Sequence, residues 1–153
     1  IFVINGPNLN MLGLREKEHY GTGTYQDLIN LIEDHAKSKN IDVEFFQSNH
    51  EGDLVDFIQR AYFEKADGIV INPLLNASLF PVIREFLDAV KSARVPTVEV
   101  HISKVEERED FRQISYIRLA CVKTITGHGT GGYLEAIDFL AEEYGHDGDL
   151  SAL

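Results

Sequence analysis

The sequence predicts a single α/β domain built around a doubly wound, five-stranded parallel sheet. Five short apolar runs rich in β-branched residues are typical of buried parallel strands. Helical patterns separate these runs, and the alternation of strand and helix is typical of a three-layer α/β/α sandwich. A chain of 153 residues suits one domain. Five strands in so small a domain favour the flavodoxin-like order 2-1-3-4-5.

The predicted strands are Ile1–Ile4, Val43–Phe46, Gly68–Ile71, Thr97–His101 and Val122–Thr126. Four amphipathic stripes predict the helices. Their apolar members are Leu28, Leu31, Ile32 and Ala36; Leu54, Val55, Ile58 and Ala61; Val82, Ile83, Phe86, Leu87 and Val90; and Leu134, Ile137, Leu140 and Ala141. Thr24 with Asp27 indicates a capping signal before the first helix. We expect one domain over 1–144 and a frayed tail over 145–153.

The charge and cysteine content exclude several classes of protein. The net charge of −11 is opposite in sign to what nucleic acids or anionic membrane surfaces attract. No apolar run approaches the roughly 18 residues of a membrane span. A single cysteine, Cys121, favours a reducing compartment, so we expect a cytoplasmic protein.

Polar residues at the ends of the central strands indicate a ligand site. Asn8, Asn72 and His101 follow strands one, three and four, which are adjacent in the predicted order and open to one crevice. Glu99 lies two residues before His101, on the same face of its strand, where a carboxylate can orient the imidazole. The alternative for each asparagine is a simple turn former.

The polar stretch from Arg15 to Tyr20 has the length and flanking glycines of a lid. A tyrosine has a reference pKa of about 10, so a base at this position needs help to ionise near neutral pH. Arg15 can favour the phenolate of Tyr20 if the loop folds back. From spacing alone, a solvated loop with an amphipathic tyrosine is the stronger alternative.

Other motifs carry less weight. The run Gly127–Gly132 matches G-x-G-x-x-G, but only one helix follows it, so an NAD site is rejected. Gly132 instead suits close packing of the last helix on the sheet. Phosphate could bind at Gly21–Thr24, which keeps a flavin-mononucleotide binder open. The six histidines form no close metal-binding pair, and Cys121 is interpreted as a core residue.

Six motifs follow one another along the chain: Asn5-Gly-Pro-Asn-Leu-Asn10, Arg15-Glu with Tyr20-Gly21, Gln47-Ser-Asn-His-Glu-Gly52, Ile71-Asn-Pro73, Glu99-Val-His-Ile-Ser103, and Arg108-Glu-Asp-Phe-Arg112 with Ser115-Tyr116. Together, in this order, they resemble the type II 3-dehydroquinate dehydratases. The resemblance covers about residues 1–144. It implies the flavodoxin-like fold, a dodecamer built of trimers, and chemistry without metal, cofactor or covalent intermediate.

The resemblance also implies residue roles. Tyr20 matches the tyrosinate base, Arg15 the arginine that promotes its ionisation, and Asn8 the residue that positions a water against the enolate. His101 matches the general acid, with Glu99 behind it. The substrate carboxylate is expected at Asn72 and at the backbone amides of Ile102 and Ser103, and Arg112 is expected on the ring hydroxyls.

The segment after the third strand departs from the family pattern. Counted without gaps from Asn72, the family's histidine falls on Ser78, whereas a shifted alignment puts Asn76 near it. Glu85 stands where the family has an acidic residue that reaches a neighbouring subunit's site. Leu74, Leu75, Leu79 and Phe80 make this segment more apolar than usual.

Three functions follow as expectations. The leading one is the reversible anti elimination of water from 3-dehydroquinate to 3-dehydroshikimate in the shikimate or quinate pathway. The second is a divergent or weakened paralogue acting on a related cyclic hydroxy-keto acid, which the Ser78 segment motivates. The third is a non-catalytic flavodoxin-like module that binds a flavin or another ligand.

Overall fold

A computed structural model describes residues 1–14, 23–73, 88–103 and 117–145. Its five strands are β1 (Phe2–Asn5), β2 (Glu44–Gln47), β3 (Ile69–Asn72), β4 (Thr97–His101) and β5 (Lys123–Thr126). All pair in parallel in the order β2-β1-β3-β4-β5, which confirms the predicted flavodoxin-like order. Each strand begins and ends within one residue of its prediction, because each apolar run fills one buried strand.

The described helices are α1 (Tyr25–Ser38), α2 (Glu51–Phe63) and α3 (Gly131–Tyr144), and residues 88–93 are also helical. The predicted capping signal is confirmed: Thr24 Oγ1 accepts from Asp27 N at 3.1 Å, and Thr24 N donates to Asp27 Oδ2 at 3.0 Å. These bonds lower the pKa of Asp27. No helix in the described ranges combines the length and apolar character that a bilayer crossing needs.

The sheet separates two halves of the core. Alternate strand residues such as Val3, Val70 and Val98 pack towards α1 and α3. Their neighbours Ile4 and Ile71 pack towards α2 and the helical segment 88–93. This arrangement is the predicted three-layer sandwich, and it follows from the two-residue side-chain period of a strand buried on both faces.

The amphipathic stripes predict most of the large side chains that are buried in the described helices. The stripe of α1 predicts a buried Leu31, but this residue is 39% exposed because the adjacent Ile32 takes the core contact. Tyr133 was not assigned to the core, yet it is fully buried in α3. Of the third stripe, Val90 is described and buried, while Val82, Ile83, Phe86 and Leu87 lie outside the described residues.

Close packing of α3 on the sheet depends on Gly132. A Cβ atom there would lie 3.3 Å from both Ile125 Cγ2 and Val100 Cγ1, whereas one at Gly131 would meet nothing within 4 Å.

Both Gly132→Ala and Gly131→Ala gain helix propensity, but only Gly132→Ala also overpacks the contact between α3 and the sheet. The free energy of unfolding of Gly132→Ala should therefore be lower than that of Gly131→Ala by about 1 kcal/mol or more. Urea midpoints at matched protein concentration test this. Equal midpoints for the two variants would contradict the packing argument.

Candidate active site

The loop after β1 is held against the end of β3. Gly6 N donates to Asn72 O at 2.8 Å, and a Cβ atom on Gly6 would collide with the Pro73 carbonyl oxygen, so only glycine fits. Two residues on, Asn8 is exposed, has a positive φ of 70° and begins the short 3₁₀ helix Leu9–Met11. The first asparagine of the predicted crevice therefore lies at the carboxyl edge of the sheet.

Side chains that follow β2 hold this loop in place. Asn49 Oδ1 accepts from Asn8 N at 2.9 Å and from Gln47 Nε2 at 3.1 Å. Gln47 Nε2 also lies 3.3 Å from Gly6 O. The role of Gln47 and Asn49 was not predicted, because a hydrogen bond between segments about 40 residues apart has no local sequence pattern.

Glu99 and His101 form a pair at the end of β4, as their spacing predicted. His101 Nε2 lies 2.5 Å from Glu99 Oε1, and the Glu99 side chain has no exposed surface. The other carboxylate oxygen, Oε2, lies 3.7 Å from Arg118 Nε and 3.4 Å from Thr124 Oγ1. Arg118 is a partner that sequence reasoning missed, since it approaches from the 3₁₀ helix Ile117–Ala120.

This arrangement suits proton transfer by the imidazole. A carboxylate buried without partners is costly, and the guanidinium of Arg118 and the hydroxyl of Thr124 lie beside that of Glu99. The Glu99 carboxylate fixes the orientation of the His101 ring. His101 itself is 13% exposed, so it remains open to a ligand at the edge. A histidine held in this way can act as a general acid.

Asn72 ends β3 on the other face of the sheet. Its amide Nδ2 donates to the Tyr133 hydroxyl at 3.0 Å, on the side of α3. Glu99 and His101 leave β4 on the opposite side, because Val98 and Val100 alternate with them and pack towards α3. Asn72, His101 and the Asn8 loop thus share one edge of the sheet, but the Asn72 and His101 side chains approach it from different faces.

The backbone after β4 is fixed by the glycine run that resembled a dinucleotide motif. Gly127 N donates to His101 O at 3.2 Å, and Gly129 N donates to Ile102 O at 3.0 Å. Both glycines have positive φ, 76° and 61°, which this close turn requires. The run therefore holds the segment that carries the amides of Ile102 and Ser103. His128 instead pairs with Glu135 at the surface, with Nδ1 2.6 Å from Oε2.

Five predicted site residues lie outside the described residues: Arg15, Tyr20, Ser78, Glu85 and Arg112. The described part places Asn8, Asn72, Glu99, His101, Ile102 and Ser103. Within that part, no three His, Cys, Asp or Glu side chains group closely enough to hold a metal ion.

Cys121 is a poor nucleophile for physical reasons. Burial, with a smaller contribution from the charge of Glu99, raises the pKa of its thiol to about 12. At pH 8 only about one thiol in ten thousand is ionised.

We expect iodoacetamide to label Cys121 in the native protein at least a hundredfold more slowly than in urea, with the native rate rising towards high pH. Equal labelling rates in the two states would contradict this assignment.

The fold and the histidine–carboxylate pair define a flavodoxin-like α/β protein with a buried Glu99–His101 pair at the carboxyl edge of its sheet. Residues 1–141 match the family model described as "Dehydroquinase class II". The chain belongs to the class II dehydroquinase family.

Relatives with curated names support the same family. A protein of Fusobacterium nucleatum named 3-dehydroquinate dehydratase is 51% identical over 146 residues, covering 94% of this chain and 97% of that protein. A protein of the same name from Caldicellulosiruptor bescii is 48% identical, covering 93% and 96% of the two chains.

Similar solved structures support the same family assignment. The type II dehydroquinase of Butyrivibrio crossotus has a TM-score of 0.85 and 51% identity, covering 91% of this chain and 94% of its own. That of Propionibacterium acnes has a TM-score of 0.86 at 36% identity, covering 94% and 96%. A 3-dehydroquinate dehydratase-like protein from Bifidobacterium longum is more distant, with a TM-score of 0.63 at 25% identity, covering 93% and 94%.

Proposed function

We propose that this protein is a 3-dehydroquinate dehydratase, a hydro-lyase that eliminates water from 3-dehydroquinate to give 3-dehydroshikimate. The observation that carries the proposal is the identity of about half, over nearly the full length, to relatives of that name. The buried Glu99–His101 pair supports it, since elimination of a hydroxyl needs an acid that protonates the leaving group.

The reaction begins with removal of a proton beside the ketone, and we assign this step to Tyr20 as a tyrosinate. Arg15 favours the ionised phenol through its positive charge. The electron pair moves into the carbonyl to form an enolate. Asn8 positions a water that donates to the enolate oxygen, so the developing charge is stabilised by a neutral donor network. Its place on the tightly held loop after β1 supports this role.

The second step is loss of the hydroxyl, and we assign the proton that leaves with it to His101. As the enolate collapses, the carbon–oxygen bond breaks and the hydroxyl departs as water. Glu99 stays ionised and stabilises the imidazolium before the transfer. Base and acid act from opposite faces of the ring, which gives the anti geometry.

Substrate binding is assigned to groups at the same edge. The carboxylate is held by the amides of Ile102 and Ser103 and by Asn72, and the ring hydroxyls by Arg112. Ser78 or Asn76 takes the position of the family's histidine, and Glu85 reaches the site of a neighbouring subunit. We also propose the dodecamer of trimers and a cytoplasmic location, the latter on the basis of the single cysteine.

Turnover is tested by adding 3-dehydroquinate to the purified protein and following the ultraviolet absorbance of the conjugated enone product. A rise that depends on enzyme concentration supports the proposal. A flat trace from folded, assembled protein would reject it. Turnover of a less hydroxylated analogue in place of 3-dehydroquinate would instead favour the divergent paralogue. The apolar segment around Ser78 would then be the first candidate cause of the altered substrate preference.

A further inference from the structure

Four polar side chains form a hydrogen-bonded chain beneath the carboxyl edge of the sheet. Asn5 Nδ2 donates to the Tyr25 hydroxyl at 3.3 Å, and the Tyr133 hydroxyl donates to Asn5 Oδ1 at 2.6 Å. Asn72 Nδ2 then donates to the Tyr133 hydroxyl at 3.0 Å. Asn5, Tyr133 and Asn72 have no exposed surface, whereas Tyr25 is half-buried. The hydrogen-bonded chain thus runs from the half-buried Tyr25, at the start of α1, to the buried Asn72, at the end of β3.

The chain leaves one polar atom unsatisfied at its β3 end. Asn72 Oδ1 is buried and has no hydrogen-bond partner among the described residues. It is the end of the amide that points away from Tyr133. A buried acceptor without a donor is unfavourable, and such an exception usually has a functional explanation.

Turning both asparagine amides by 180° reverses every bond in the chain without moving other atoms, because the two ends of an amide have nearly the same shape. The Tyr25 hydroxyl then donates to Asn5 Oδ1, Asn5 Nδ2 to the Tyr133 hydroxyl, and that hydroxyl to Asn72 Oδ1. Every buried acceptor in the chain is satisfied. The end of the Asn72 amide that points away from Tyr133 becomes Nδ2, a donor suited to an anion.

The Tyr25 end of the chain permits this reversal. Burial raises the pKa of Tyr25, so its hydroxyl keeps its proton and can donate as well as accept. Because Tyr25 is half-buried, water can satisfy the remaining valence of its hydroxyl in either direction. The chain can therefore run in either direction, and the group that meets the outward end of the Asn72 amide decides between them.

We propose that Tyr133 is a positioning residue that, together with Asn5 and Tyr25, holds the Asn72 amide with Nδ2 towards the substrate carboxylate. This inference rests on the proposed function, in which Asn72 binds that carboxylate. Tyr133 contacts Asn72 and not the substrate. Because the carboxylate is unchanged between substrate and transition state, the hydrogen bond it gains is uniform binding.

The test is the steady-state kinetics of Tyr133→Phe, which keeps the ring in its cavity and removes only the hydroxyl. KM for 3-dehydroquinate should rise about tenfold while kcat changes by less than about threefold, as expected when one hydrogen bond to a charged group weakens. In the Asn72→Ala background the same change should have no further effect on KM. Tyr144→Phe, near the exposed end of α3, is the matched control and should leave both constants unchanged.

Asn5→Asp provides a second variant if Tyr133→Phe folds poorly. In its ionised form an aspartate only accepts, so at a pH high enough to ionise this buried group it compels the Tyr133 hydroxyl to donate to it and to accept from Asn72. The amide then faces the carboxylate with oxygen, and KM should rise although Tyr133 is present. If the wild type turns over 3-dehydroquinate normally, two outcomes would overturn this inference and leave the proposed function standing. One is an unchanged KM in both Tyr133→Phe and Asn5→Asp. The other is a double variant in which the KM effects of Tyr133→Phe and Asn72→Ala simply multiply. Absence of wild-type turnover would reject the proposed function and this inference with it.

Discussion

Tyr20→Phe should lower kcat for 3-dehydroquinate by roughly a thousandfold or more while KM changes little. General base catalysis contributes about 10²–10⁴ in rate, and a phenyl ring has no atom that can accept the proton. The loss falls on kcat because the base acts in the transition state rather than in substrate binding. The effect is measured from initial rates of enone formation at saturating substrate. The concentration of folded protein is the same for the variant and the wild type.

Tyr62→Phe is the control for the loss of a tyrosine hydroxyl, because Tyr62 is exposed on α2, outside the proposed site. Its kcat should equal that of the wild type. If Tyr20→Phe keeps kcat within about tenfold of the wild type, Tyr20 is not the base and the tyrosinate mechanism fails.

His101→Ala should also lower kcat strongly, by about 10²–10⁴, because the hydroxyl would leave without a positioned acid. Glu99→Gln should have a smaller effect in the same direction. The amide can still hold the ring, but it replaces the buried carboxylate oxygen that lies 2.5 Å from His101 Nε2. The order of kcat values, wild type above Glu99→Gln above His101→Ala, is therefore the expected result.

A second histidine–carboxylate pair provides the matched control. His35 Nε2 lies 2.7 Å from Asp138 Oδ1, between α1 and α3, where it joins two helices. His35→Gln should leave kcat within about twofold of the wild type, since it keeps a hydrogen-bonding side chain and has no place in the reaction. A His101→Ala enzyme as fast as His35→Gln would remove His101 as the acid.

Strand positions and their order were predictable because they rest on local information. Each strand is a short β-branched run between turn residues, and parallel strands joined by helices allow few topologies. The capping box at Thr24 and the close packing of Gly132 were predictable for the same reason. The burial of Tyr133 was not, because its hydroxyl finds partners on β1 and β3, which are 128 and 61 residues away along the chain.

For the candidate site, the sequence by itself determined that Glu99 and His101 share one face of their strand, and it determined the edge of the sheet at which Asn8, Asn72 and His101 lie. Strand periodicity and parallel topology are sufficient for both. Only the tertiary structure decided which groups surround the Glu99 carboxylate, how the Gly127–Gly132 run holds residues 101 and 102, and how Tyr133 joins Asn5 to Asn72. These contacts join distant segments, and their geometry arises only when the helices pack on the two faces of the sheet.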